Sequence, residues 1–203
     1  MMKLYYKQGA CSLSPHIALR EAGLPVELVS VDLRTKTLQA GADFNAINAK
    51  SQVPVLELDD GQRLTEGPAI VQYIADLRPQ AGLAPPAGSL ERVRLQEWLN
   101  FTTSELHKTF APLFNPATPA EWKQTLVGNL GRRFDWLSHQ LEGKSYLLGE
   151  KFSVADGYLF TVLSWAPHVG IDLAKWPVLK QYCDRVASRP KVREALQAEG
   201  LLQ

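Results

Sequence analysis

The sequence predicts an α/β domain followed by an all-α domain. Three observations lead there: alternating strand and helix patterns over residues 1–80, a proline- and glycine-rich break at 81–89, and helical periodicity alone over 90–203. At 203 residues the chain is long enough for two small domains.

In the first part, Lys3–Lys7 reads as a strand, Ser12–Ala22 as a helix and Glu27–Val31 as a second strand. After an irregular stretch, Val55–Leu58 and Arg63–Thr65 flank Asp59-Asp60-Gly61, a hairpin signal. Gly67-Pro68 then opens a helix with proline at its first position, carrying Ile70, Tyr73, Ile74 and Leu77. The order βαβ, then ββα, describes a small mixed sheet with helices packed on it.

In the second part, Leu90, Val93, Trp98, Leu99, Thr102 and Leu106 trace a long helix. Pro112, Pro116 and Pro119 interrupt before the next one. Its start, Thr118-Pro119-Ala120-Glu121, predicts a capping box with proline at N1. Leu126, Leu130, Phe134, Leu137 and Leu141 form its apolar face, and Gly143 ends it. A third helix follows Ser153, where Ser153-Val154-Ala155-Asp156 predicts a second capping box with Asp at N3. Gly157 leaves Phe152 no staple partner, so Phe152 must pack elsewhere. Shorter helices follow Trp176-Pro177 and Arg189-Pro190.

Composition narrows the function classes. With 45% hydrophobic and 21% charged residues the chain reads as an ordinary soluble protein. A net charge of +1 without a Lys/Arg cluster argues against nucleic-acid and membrane-surface partners. The longest apolar run, Gly157 to Pro167, is too short to cross a bilayer. Lys3 and Lys7 flank only three large apolar residues, so no signal-peptide core is expected. Two distant cysteines make no disulfide framework, and a cytoplasmic home is expected. His16, His139 and His168 lack metal-ligand spacing, so no metal is expected.

Cys11 stands where a strand, the Gly9-Ala10 loop and a helix meet. Unpaired N–H groups and the helix dipole there favour thiolate over thiol. The string Cys11-Ser12-Leu13-Ser14 is a C-x-x-S, which can trap a second thiol as a mixed disulfide but cannot close an internal one. An ordinary cysteine is about 3% ionised at pH 7, and lowering its pKa by about two would make roughly three-quarters of it thiolate. That takes about 2.7 kcal/mol, whereas a helix N-terminus contributes about 0.3–1 kcal/mol. Strong activation therefore needs a second positive group; without one, the alternative is a buried, inert cysteine. Cys183 reads as core.

Three other stretches carry candidate chemistry. In Gln52-Val53-Pro54 the proline belongs at a sheet edge or bend, and a cis bond there would turn the Val53 backbone groups outward to pair with an extended peptide. In Thr65-Glu66-Gly67-Pro68 a carboxylate precedes a helix N-terminus, an arrangement matching the ammonium and carboxylate of an α-amino acid; simple helix capping is the alternative. Asn100, Ser104, His107 and Lys108 share one face at helical spacing, a polar stripe with a cationic end, or else a solvated face.

Taken in order, these motifs resemble those of the cytosolic glutathione S-transferases, most closely the bacterial beta class, over essentially the whole chain. The resemblance rests on Cys11 shortly after the first strand, Gln52-Val53-Pro54, the acid Glu66, the Ser153/Asp156 capping box and the pair His107-Lys108. It implies a thioredoxin-like, glutathione-binding domain at 1–80, a linker at 81–89 and an all-helical domain at 90–203 that forms the site for a hydrophobic substrate. It also implies a cis Val53–Pro54 bond, glutathione as co-substrate and a homodimer that pairs the N-terminal domain of one subunit with the helical domain of the other.

The resemblance further implies how glutathione is held. Glu66 and the Gly67 N–H would take the γ-glutamyl end, Val53 the cysteinyl backbone and Lys36 the glycyl carboxylate, leaving the sulfur near Cys11. Asn100, Ser104, His107 and Lys108 would line the sulfur side of a cleft between the domains. Many relatives carry a serine where Gly67 stands, and losing that hydroxyl costs about 1 kcal/mol of binding. Tyr6 matches the tyrosine that other classes use to stabilise the thiolate and is a secondary catalytic candidate beside Cys11 and His107. The expected reaction is conjugation of glutathione to hydrophobic electrophiles, with Phe110, Phe114 and Trp165 as candidate pocket residues. A glutaredoxin-like thiol transferase acting through Cys11, or a non-catalytic ligand-binding protein, are the alternatives.

Overall fold

The computed structural model describes residues 1–202. Strand β1 (Lys3–Tyr6) runs through the middle of a five-stranded mixed sheet, in the order β3 (Thr37–Leu38), β2 (Glu27–Asp32), β1, β4 (Val55–Glu57), β5 (Arg63–Thr65). It pairs in parallel with β2 (Glu27–Asp32), Lys3 opposite Glu27, and antiparallel with β4 (Val55–Glu57), Lys3 opposite Glu57. A parallel pair cannot be joined by a tight turn, and α1 (Leu13–Glu21) supplies the crossover. β3 (Thr37–Leu38) is a two-residue addition to β2 within the stretch read as irregular. β5 (Arg63–Thr65) closes the predicted hairpin, with Gly61 at φ +86° and its N–H on the Leu58 carbonyl at 3.0 Å. α2 (Gly67–Leu77) follows.

Period-2 alternation sorts the sheet side chains onto two faces. Leu4 and Leu56 are fully buried, as are Ile17 of α1 and Ile70 and Ile74 of α2. Tyr5, Val31 and Val55 instead gather with Val53 and Phe44, the latter carried by a single 3-10 turn at Phe44–Ala46.

The chain packs as two compact units: residues 1–84 together with the segment from Arg189 onward, and residues 85–188. The last helix, α8 (Pro190–Ala198), therefore belongs with the sheet, although its position in sequence placed it with the helical domain. Arg189 holds it there, donating Nε–H and an Nη2 hydrogen to the Glu21 carboxylate at 2.7 and 2.8 Å.

In the second unit, α3 (Leu90–Phe101) is capped by Ser89, whose hydroxyl accepts the Arg92 N–H at 3.1 Å. It continues through a π-helical turn, Thr102–His107, into the short α4 (Lys108–Phe110). α5 (Ala120–Leu141) buries the five apolar residues read from its sequence. The capping box expected at its start does not form. The helix starts one residue later than the pattern implies, with Pro119 at the N-cap, and the Thr118 hydroxyl lies outside it, donating to the Pro112 carbonyl at 2.7 Å.

α6 (Val154–Leu163) is buried along its whole length, and α7 (Pro177–Ala187) packs beside it. Here the predicted capping box is present. Asp156 Oδ2 accepts from the Ser153 N–H and hydroxyl, each at 2.8 Å, while Oδ1 accepts from Leu147 N–H at 2.8 Å and the Tyr182 hydroxyl at 2.9 Å. Phe152 packs edge-on against Tyr146, 5.7 Å between ring centres. Ser153→Ala removes one donor from this buried carboxylate. It should cost about 1 kcal/mol, read as a thermal midpoint about 2–4 °C lower.

Candidate functional site

The segment Lys50–Val53 is the hub of the site in the first unit, because three of its backbone carbonyls accept side-chain donors. The Lys36 ammonium donates to Ser51 C=O at 3.2 Å, the Asn48 amide to Gln52 C=O at 2.7 Å, and the Cys11 thiol to Val53 C=O at 3.2 Å. Val53 is buried, and its bond to Pro54 is cis. Lys36 stands in a tight turn between β2 and β3 at φ +60°. Asn48 shapes the hub further, its side-chain oxygen accepting the Lys50 N–H at 3.1 Å.

Glu66 joins the same hub from α2. It occupies the N-cap at φ +67°, with its side chain 70% exposed, and Lys50 Nζ meets Oε1 at 2.5 Å. Lys50 also donates to the Thr65 hydroxyl at 2.8 Å. Gly67 is the first residue of α2, and a Cβ placed there would meet only Pro54 Cγ at 4.0 Å. Cys11, Lys36, Val53, Glu66 and Gly67 are thus gathered on one short stretch of backbone.

Cys11 is a correction to the sequence reading. The tendency toward thiolate read from the helix start is reversed, in favour of the buried-cysteine alternative: burial pushes the thiol up to about 11, against hydrogen bonds from the Cys11 and Ser12 N–H groups that pull it down. The charge of Glu66 adds to the rise. Desolvation outweighs the helix terminus, and no second cation intervenes. The loop itself is closed by Ser12, whose hydroxyl accepts from Lys7 N–H at 3.1 Å and donates to Lys7 C=O at 3.2 Å. Tyr6, at the end of β1, is also raised, by burial first and the charge of Glu199 second, which disfavours its phenolate. Cys183 on α7 is half-buried and pushed up to about 12 by burial.

In the second unit the π-helical turn breaks the expected single stripe. An i→i+5 turn inserts a residue into the helical phase, so Asn100, Ser104 and Lys108 stay exposed while His107 turns partly inward. The Ser104 hydroxyl donates back to Asn100 C=O at 3.0 Å. His107 Nδ1 lies 2.7 Å from the Tyr158 hydroxyl, and its ring meets Trp165 edge-on at 4.9 Å.

Burial, aided by the charge of Lys108, lowers His107 to about 4. The ring is neutral at pH 7, so Lys108 alone supplies the positive charge expected of the pair. The Thr103 hydroxyl donates to Leu99 C=O at 2.9 Å and stands 3.3 Å from Tyr158. Phe110 and Phe114 each lie 5.9 Å from Trp165, edge-on; Phe110 is fully buried and Phe114 exposed.

Residues 9–77 match the glutathione S-transferase N-terminal domain and residues 101–190 the glutathione S-transferase C-terminal domain. Glutathione S-transferase GstA of Escherichia coli O157:H7 is 48% identical, over 98% of this chain and 100% of that protein. The chain belongs to the glutathione S-transferase family. It is a transferase enzyme, with a thioredoxin-like N-terminal domain and a helical C-terminal domain. Among solved structures, a sphingomonad glutathione S-transferase complexed with glutathione and a bacterial beta-class glutathione S-transferase of Sphingomonas chungbukensis each superpose with a TM-score of 0.95. Each is 49% identical, over 98% of this chain and 100% of the other.

Three residues of this transferase escaped the sequence reading. Lys50 and Asn48 lie in a polar turn, Asn48-Ala49-Lys50-Ser51, whose composition marks a turn but not its contacts. Tyr158 lies inside an apolar run and reads as core. Among the described residues, no group of three or more His, Cys, Asp or Glu side chains is placed to hold a metal, and no helix is long and apolar enough to cross a membrane.

Proposed function

We propose that this transferase conjugates the thiolate of glutathione to hydrophobic electrophiles, with residues 1–80 as its glutathione-binding domain. The hub at Lys50–Val53 carries the reading. Glu66 and the Gly67 N–H take the zwitterionic γ-glutamyl end, the Val53 backbone pairs with the cysteinyl residue, and Lys36 meets the glycyl carboxylate. Lys50 does not bar the γ-glutamyl ammonium from Glu66, since an exposed ion pair of this kind contributes only about 0–1 kcal/mol. Cys11 is a neutral thiol whose one hydrogen lies on Val53 C=O in the free chain, and it turns that hydrogen to the glutathione sulfur when the seat is filled. Negative charge on that sulfur calls for donors and cations.

The raised Cys11 counts against thiol–disulfide exchange as the main activity, because the attacking species there is the thiolate. The assembled hub counts against a non-catalytic binding protein. We place the enzyme in the cytoplasm as a homodimer; Tyr73 and Leu77 on α2, and Leu90 and Val93 on α3, are large apolar side chains exposed in the single chain. Sedimentation at two protein concentrations reads the dimer.

Initial rates with a reactive aryl halide and varied glutathione test the function. Glu66→Gln should raise the glutathione KM about tenfold or more, the loss expected for a charge-assisted hydrogen bond. Gly67→Ser has room for its hydroxyl and should lower that KM about fivefold, near 1 kcal/mol. A wild-type chain that neither conjugates the halide nor is retained on immobilised glutathione would refute the proposal.

A further inference from the structure

The C-terminal segment reaches the loop that carries Cys11. Beyond α8, the Glu199 carboxylate is fully buried, with Oε2 accepting the Gly9 N–H at 3.0 Å and Oε1 standing 2.9 Å from His16 Nδ1. His16 is likewise fully buried, and Arg20 donates Nε–H to its Nε2 at 3.2 Å. With Nε2 accepting, the neutral ring carries its proton on Nδ1 and gives it to Glu199. Two donors therefore converge on one carboxylate. Gln8 adds a bond to Gly200 C=O at 3.4 Å, and Gly9 holds φ +67°, which glycine adopts freely. Arg189 and Glu21 already fasten α8 to α1, so the helix does not need Glu199 to stay in place. A carboxylate buried this deeply is costly unless its partners need it, and the partner it reaches lies two residues before Cys11.

We propose that Glu199 is a positioning residue of this transferase: its carboxylate fixes the Gly9–Cys11 turn, holding the thiol against Val53 and preforming the glutathione seat. The seat is the one proposed above and rests on that reading; the hold on the turn does not.

Glu199→Gln places an amide, with one acceptor and two hydrogens, where two donors converge, so one pair must part. Removing the Arg20 donor frees His16 to reverse its tautomer and accept from the introduced amide. The test is alkylation of Cys11 by iodoacetamide at about pH 8, resolved by peptide mass. It compares wild type, R20M, E199Q and E199Q/R20M, with thermal midpoints and glutathione KM measured in parallel. The expected result is alkylation about tenfold faster in E199Q, the gain in thiolate when water entry lowers the pKa by about one. The glutathione KM rises more than kcat falls, and E199Q/R20M returns to the behaviour of R20M.

A lowered midpoint in E199Q with wild-type alkylation and KM would mean a purely structural tie and would overturn the proposal. Should E199Q not fold, hydrogen exchange at the Gly9 amide of the wild-type chain decides: protection supports the hold, and exchange at the rate of an open loop overturns it. The alkylation and exchange measurements use no glutathione, so they stand even if wild-type conjugation fails.

Discussion

In the free enzyme at pH 7, Cys11 should alkylate through about one thiolate in ten thousand, the rate rising about tenfold with each pH step of one until near 11. Had the helix start and a second cation together activated this thiol, three-quarters would already be ionised at pH 7 and the rate would level off below pH 8. The two profiles differ by nearly four orders of magnitude at neutral pH, more than any other change expected here. The cause is local. The N–H groups of Cys11 and Ser12 stabilise the thiolate, but burial opposes it more strongly, and the charge of Glu66, being negative, adds to that opposition. A neutral thiol keeps its hydrogen and gives it to Val53 C=O.

Catalysis follows from the same balance. Cys11→Ala should retain most aryl conjugation, since the nucleophile is the sulfur of glutathione and the side chain contributes one hydrogen bond, worth about 1 kcal/mol or fivefold in rate. Disulfide exchange should vanish in the same variant. Exchange persisting at the wild-type rate would show that Cys11 is not its nucleophile. An alkylation profile that levels off below pH 8 would instead reveal a cation beside the thiol.

The strands and helices were legible because each carries its own periodicity. The five buried positions of α5, the hairpin at Gly61 and the Ser153–Asp156 box follow from spacing alone. What escaped depends on neighbours distant in sequence. The sign of the Cys11 shift is set by how much structure covers it, and a strand–loop–helix pattern carries no record of that cover. The stripe at Asn100–Lys108 was drawn with 3.6 residues per turn, and one π-helical turn moved His107 off it. Thr118 and Ser153 head similar box patterns, yet only Ser153 stands at the N-cap of its helix; α5 starts one residue later, with Pro119 at its cap. α8 reads as one more helix of the helical domain until the Arg189–Glu21 and Glu199–His16 pairs show what it packs against. Of the candidate site, the acid, the Val53-Pro54 pair and the thiol were visible as motifs, the cis bond came only through the resemblance, and Lys50 became a participant only once Glu66 was placed opposite it.

His107 should make this enzyme acid-sensitive in a defined window. Its folded-state imidazole protonates near 4, whereas in the unfolded chain it protonates near the ordinary 6.5. Between those values the unfolded chain binds the extra proton and the folded one does not, so stability increases with pH across the window. As pH falls from about 6.5 to about 4 the gap costs about 3 kcal/mol, a sizeable share of a typical 5–15 kcal/mol folding free energy. His107→Gln keeps a polar partner for Tyr158 and does not titrate. Urea unfolding of both proteins, followed by tryptophan fluorescence, removes the contribution of carboxylates common to both. Wild type should lose about 3 kcal/mol more than the variant over the window, with no difference above pH 7 in the slope of stability against pH. Parallel curves would place the His107 titration at its ordinary value and return the ring to the cationic role that its pairing with Lys108 first implied.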